Sequence, residues 1–147
     1  MKITINYPTP NFLVKENEGK QFIFDTIRKK YLILTPEEWV RQNIVQALVK
    51  NYQYPAGRIA LEKLLIINNL KKRYDVVIYD AQRKPWMLIE CKATTVALSE
   101  DVLKQTLQYY SQLQCPYFLI TNGNNTFIAS FKEQSFLWLD SVPSYNF

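Results

Sequence analysis

Hydrophobic and polar positions change their period several times along the chain. FLV at 12–14 and QFIF at 21–24 flank the polar stretch Lys15–Lys20, which contains Gly19, and this pattern predicts a β-hairpin. A basic cluster, Arg28-Lys29-Lys30, then leads into the apolar run YLIL at 31–34. From Thr35 the period lengthens to that of a helix. Val40, Ile44 and Leu48 recur every four residues, and Val45 and Ala47 widen the stripe. Thr35 suits the N-cap, Pro36 the first helical position, and Glu38 stands at capping-box spacing from the cap. Gln53-Tyr54-Pro55-Ala56-Gly57 ends this helix.

Residues 60–68, ALEKLLIIN, suit a strand or a helix, and their place before NNLKKR favours the strand. YDVVIYD (74–80) and WMLIECKA (86–93) are β-branched or apolar on both faces and are separated by the polar loop Ala81–Pro85, so they read as buried strands. A second helix is expected from Ser99 to about Leu113, with Glu100 and Asp101 at its positive end. YFLIT (117–121) and TFIAS (126–130) flank the turn signal Asn122-Gly123-Asn124-Asn125, and FLWLD (136–140) suits a last strand. The expected fold class is α/β. A helix, a three-stranded antiparallel meander, a second helix and further strands build one mixed sheet, with an N-terminal β-hairpin. One domain is expected over 1–147, with 1–34 an N-terminal extension and 35–140 the core.

Composition narrows the function classes. At 147 residues, 48% hydrophobic and 14% aromatic, the chain buries a real core and is not disordered. Three glycines argue against phosphate-cradling loops and repeat architectures. The absence of histidine removes Ser-His-Asp and Cys-His catalysis and His-ligated zinc. Cys91 and Cys115 lie in apolar runs without CxxC spacing, as buried free thiols of a reducing compartment do. No apolar run has the length of a membrane span and MKITINYPTP lacks a signal-peptide pattern, so a cytoplasmic location is expected. The net charge of +5 agrees with a polyanionic partner without demanding one.

The chemistry concentrates in 74–93. If residues 81–84 form the loop, Asp80 pairs with Pro85, and the same register sets Asp75 opposite Glu90 with Cβ atoms about 4.5–5.5 Å apart. Alternation puts Lys92 on the face of Glu90. Two opposed carboxylates in an apolar hairpin repel each other and lose hydration, and a divalent cation between them reverses that sign. Oxygen donors without imidazole favour Mg²⁺ or Mn²⁺. Lys92 would then orient or deprotonate the attacking water and offset charge on a phosphoryl transition state. The competing reading is an ordinary cross-strand ion pair between Lys92 and either acid. Lys71-Lys72-Arg73 and Arg28-Lys29-Lys30 suit phosphate contacts, as they also suit solvated loops. Arg41, one turn beyond Glu38, suits holding the site or meeting a phosphate. No element for reading base edges is visible.

LTPEEWVRQ (34–42), RYD (73–75), IECKA (89–93), the helix with Gln105 and Tyr109, and ITNG (120–123) occur in an order that resembles one family. It is the type I restriction enzyme R-subunit N-terminal-like domains, within the PD-(D/E)XK nuclease superfamily and its restriction-endonuclease-like fold, and the likeness covers roughly residues 25–130. The resemblance implies that Asp75 and Glu90 bind the metal, that Lys92 is the motif lysine, and that the main-chain carbonyl of Cys91 is a further ligand. It implies that Glu38 reaches the metal from the first helix, although a capping box alone accounts for this residue. Gln105 and Tyr109, four apart on one helix face, match a Gln-x-x-x-Tyr feature that assists the site and binds substrate; with glutamines at 108, 112 and 114, a solvated face is the alternative. The implied function is Mg²⁺- or Mn²⁺-dependent hydrolysis of DNA, the alternative a non-catalytic nucleic-acid-binding or interaction subunit. The implied partners are DNA and either a second copy or a larger restriction or defence complex. Large restriction subunits couple this fold to a motor; no Walker motif stands in this sequence, so translocation or target choice would be a partner's work or absent.

Overall fold

The structure is a computed structural model and describes residues 2–133 and 135–146. Strands β1 (Val14–Asn17), β2 (Lys20–Asp25) and β3 (Lys30–Ile33) form a small antiparallel sheet. The expected hairpin therefore gains a third strand, in which Tyr31 pairs with Phe24 and Leu32 with Ile23. Asp25 makes the reversal: its Oδ1 accepts the amides of Ile27 and Arg28 at 2.8 and 2.9 Å, closing the turn that a short acidic side chain favours.

Helix α1 (Pro36–Lys50) begins where its cap dictates, with Thr35 Oγ1 accepting the Glu38 amide at 3.0 Å. The reciprocal half of the capping box is replaced, because the Glu38 carboxylate accepts from Arg28, Arg41 and Gln42. Val40, Ile44, Ala47 and Leu48 are buried against the main sheet, as their spacing requires.

That sheet contains β4 (Ile59–Ile67), β5 (Leu70–Tyr79), β6 (Pro85–Cys91), β7 (Tyr117–Thr121), β8 (Thr126–Lys132) and β9 (Ser135–Trp138), hydrogen-bonded in chain order. The ambiguous run is a strand as far as Ile67, and Asn68 begins the turn. β6 and β7 are parallel, which requires a crossover, and α2 (Glu100–Tyr110) supplies it. This helix starts on Ser99 as expected but stops at Tyr110; Leu113 belongs to the turn that follows. One sheet face packs Val76, Ile78, Ile89 and Leu119 against α1. The other packs Val77, Leu88, Phe118 and Ile120 against Leu103 and Tyr110 of α2. Ile3 and Ile5 enter the α1-side core and Ile3 bridges to Thr126, so part of the N-terminal extension is core. Asn122 Oδ1 accepts the amides of Asn124 and Asn125, shaping the β7–β8 turn as its sequence indicates.

The β5–β6 reversal differs from expectation in one residue. Tyr79, not Asp80, pairs with Pro85, because the Asp80 carboxylate is used inside the loop to accept the amides of Gln82 and Lys84. A bulge beyond Ile78 absorbs the difference, and from Ile78↔Met87 the anticipated register resumes. Among the described residues, no helix is long and apolar enough to cross a membrane.

Ile44→Ala at the contact of α1 with the sheet is expected to cost about 2–5 kcal/mol of unfolding free energy. Ile66→Ala, at a position 71% exposed, should cost less than about 0.5 kcal/mol. Urea titrations of both variants check this, and equal losses would contradict the packing of α1.

Candidate active site

The ladder between β5 and β6 runs from the reversal to Val76↔Ile89 and goes no further, while β5 continues along β4 to Ile67↔Leu70. The two strands part at Asp75 and Glu90. Here the Cys91 amide donates to Asp75 Oδ2 at 2.7 Å, so a side chain takes the place of a main-chain acceptor. Asp75 is thereby fixed by the backbone of β6.

Side-chain alternation also slips at this point. Tyr74 and Val76 are two apart, yet Tyr74 packs on the α2 side and Val76 on the α1 side. On β4, Leu61 packs on the α1 side, whereas Leu65 and Ile67 pack on the α2 side. The pairing register is unchanged, from Leu61↔Val76 to Lys63↔Tyr74, so both strands slip together. Glu62 absorbs the slip on β4 with φ +50°, a left-handed conformation that side chains seldom adopt.

A cavity of about 150 Å³ opens where the strands separate. Glu37, Asp75, Glu90, Lys72, Arg73, Lys92 and Tyr110 contribute to its wall. Lys92 Nζ lies 3.1 Å from Glu90 Oε1, so these two side chains share a face as alternation requires. Burial alone would lower the Lys92 ammonium, but the charge and hydrogen bond of Glu90 outweigh it and hold it above its ordinary value. Behind Asp75, Arg41 Nη1 approaches Oδ1 at 3.6 Å, too far for a hydrogen bond, and this buried Nη1 has no other acceptor. Arg41 also binds Glu38 and lies 3.4 Å from Glu62, while Arg28 binds Asp25, Glu38 and Glu62.

The structure brings Asp75, Glu90, Cys91, Lys92, Lys72 and Arg73 to one cavity, and sets Glu38, Gln105 and Lys71 outside its wall. Glu38 is buried and saturated by Arg28, Arg41 and Gln42, so its carboxylate supports the site from behind. Gln105 is exposed on α2. The Cys91 thiol is buried, and burial pushes it well above its ordinary value. Tyr109 meets Lys72, whose ammonium lies 4.8, 5.1 and 5.5 Å from the ring centres of Tyr109, Tyr110 and Tyr74. Sequence reasoning missed Glu37 and Tyr110. Both stand beside residues it chose, and the signal was their helical phase: capping-box spacing selects Glu38, while the exposed phase carrying Glu37 faces the cavity.

Among the described residues, no three acidic or thiol side chains converge into a ready metal cage. The donor chemistry nevertheless fits a hard cation. Asp75 and Glu90 offer carboxylate oxygens into one cavity, and Mg²⁺ characteristically uses one or two carboxylates and completes its shell with water and phosphate.

Burial raises the Asp75 carboxyl above its ordinary value, outweighing the Cys91 amide and the Arg41 charge, and Glu90 and Glu37 add to the rise. A carboxyl that holds its proton more tightly in the folded state destabilises the fold when ionised. That loss is absent below the unfolded pKa and complete above the raised folded value. Asp25 has the opposite sign: burial would raise it, but Arg28 outweighs burial and holds it low. Its contribution is present above the ordinary carboxyl value and is lost as pH falls through the lowered one. Asp75→Asn, whose amide oxygen still accepts from Cys91, should raise the metal-free Tm near neutral pH by about 2–4 °C. The gain should vanish in acid. Calorimetry across pH measures it, and a fall near neutrality would show that the Arg41 attraction dominates.

No curated protein matches the chain significantly. A family profile does, that of the type I restriction enzyme R protein N terminus, over residues 36–143. The match spans α1, the whole main sheet and α2, and so contains Asp75, Glu90 and Lys92 but not Asp25 or Arg28. The chain belongs to the type I restriction enzyme R protein N-terminal family.

Proposed function

We propose that this chain is a PD-(D/E)XK-type nuclease domain that hydrolyses phosphodiester bonds of DNA with Mg²⁺ or Mn²⁺ at Asp75 and Glu90. One observation carries the reading: β5 and β6 part where two acids and a lysine enter a common cavity. Membership of a restriction-enzyme family supports DNA as the substrate and a restriction complex as the setting. Asp75 and Glu90 would hold the metal, with the carbonyl of Cys91, which lines the same cavity, a main-chain candidate for a third ligand. When bound, such an ion polarises a phosphoryl oxygen and acidifies water.

The chain's own groups divide the remaining work. The Cys91 amide fixes the direction of the Asp75 carboxylate. Arg41 opposes its protonation by charge from behind. Lys92, paired with Glu90, brings a hydrogen-bond donor and positive charge to where negative charge develops on phosphate. Lys72 and Arg73 extend that positive wall toward the substrate backbone.

The short Lys92–Glu90 pair favours a second reading, a binding subunit that keeps the scaffold and satisfies its acids internally. Plasmid incubated with Mn²⁺ separates the two. Cleavage should fall at least about 100-fold in Asp75→Ala and Lys92→Ala. Cleavage that persists in both variants, or none in the parent protein, removes the nuclease reading. Mn²⁺ affinity measured by calorimetry should weaken as pH falls through the raised Asp75 value, since only the carboxylate binds. An affinity indifferent to acid would place the ion elsewhere.

A further inference from the structure

Beyond the point where β5 leaves β6, β4 and β5 continue as a two-stranded ribbon from Lys63↔Tyr74 to Ile67↔Leu70. Five pairs at strand rise give it a length of about 17 Å. Asn68 and Asn69 both have positive φ, the two-residue reversal whose twist matches that of the strands it joins.

The two faces of the ribbon differ. Its inner face is fastened: Leu65 and Ile67 pack on the α2-side core, Lys72 lies over three tyrosine rings, and the Asn68 side chain donates to the Gln112 carbonyl. Its outer face is open. Leu64 and Ile66, 45% and 71% exposed, stand opposite the exposed cations Arg73 and Lys71. From Lys63 through Tyr74 there is no acid, and there are four cations, Lys63 among them. An exposed strip of aliphatic and cationic residues, fastened on its other face, suits an interaction surface.

Charge selects the occupant. Two copies of this face would set cation against cation, whereas a polyanion neutralises it. A two-stranded ribbon fits the major groove of a duplex, about 12 Å wide. Arg73 belongs both to this face and to the wall of the Asp75–Glu90 cavity, so the surface runs without interruption into the site.

We propose that the outer face of the β4–β5 ribbon is the surface by which this protein grips duplex DNA. The ribbon lies along the major groove, Lys71 and Arg73 meet the flanking phosphates, and Leu64 and Ile66 rest on base edges such as thymine methyls. The ribbon supplies an element for meeting base edges that inspection of the sequence did not reveal. This inference rests on the nuclease reading only for the position of the cleavage site.

Binding is measured by anisotropy with a short labelled duplex and its isolated single strand, in EDTA so that nothing is cut. Ile66→Ser and Lys71→Ser each remove a solvent-facing side chain and should weaken duplex binding about tenfold, with Lys71→Ser lowering the salt slope by about one. Mn²⁺ binding measured calorimetrically should stay unchanged in both. Duplex affinity equal to that of the parent protein overturns the proposal. So does an equal weakening for the single strand, or a dimer that Ile66→Ser converts to monomer without change in duplex binding. Ribbon-dependent duplex binding in a protein that binds no Mn²⁺ would sustain the ribbon and remove the nuclease reading. Mn²⁺-dependent cleavage indifferent to both variants would do the reverse.

Discussion

Two guanidinium groups hold four carboxylates where the small sheet, α1 and the main sheet meet. Arg28 joins Asp25, Glu38 and Glu62; Arg41 joins Glu38 and approaches Glu62 and Asp75. Gln42 adds amide donors to Asp25 and Glu38. Such an array is costly to assemble away from water, and it persists because nearly every oxygen meets a charged or amide donor. Its members come from the β2–β3 turn, the first turns of α1, β4 and β5, so these elements cannot shift independently. Asp25 and Arg28 precede the segment matched by the family profile and yet complete the array behind Asp75. The small sheet is therefore tied to the cavity by electrostatics rather than by apolar packing alone.

The array explains why the strained residue lies where it does. Glu62 takes a left-handed backbone conformation inside a strand, which costs free energy. Its carboxylate reaches both guanidinium groups, and that attraction opposes the strain. The slip it absorbs rotates the distal half of β4 and β5 relative to the proximal half. Asp75 is thus aimed along the sheet toward β6, and β5 is released to continue into the ribbon. Backbone irregularity, acid placement and ribbon are three aspects of one event.

Much of this was legible from the sequence, for physical reasons that differ by element. α1 was readable because cap, first-turn proline and apolar spacing all agree on one start. The Asp75–Glu90–Lys92 neighbourhood was readable because strand alternation and a short reversal leave few registers, although the ladder stops at Val76–Ile89, one pair short of the expected pairing of Asp75 with Glu90. The third strand of the small sheet was hidden because Asp25 closes its turn through side-chain hydrogen bonds that periodicity does not encode. Glu37 was hidden behind its neighbour because helical phase at a first turn is decided by where α1 docks. The end of β5–β6 pairing was hidden as well, since apolar character continues through both strands and only the three-dimensional slip separates them.

Asn122-Gly123 has a consequence for how the molecule ages. Attack of a glycine nitrogen on the preceding side-chain amide, with loss of ammonia, is the ordinary route by which such pairs deteriorate. Here the Gly123 N–H donates to Thr121 Oγ1, the Asn122 amide nitrogen donates to the Val96 carbonyl, and its oxygen accepts two main-chain amides. Nucleophile, leaving group and carbonyl are each restrained at a residue only 3% exposed. The same bonds that shape the β7–β8 turn therefore protect its most labile link from cyclisation for as long as the chain stays folded.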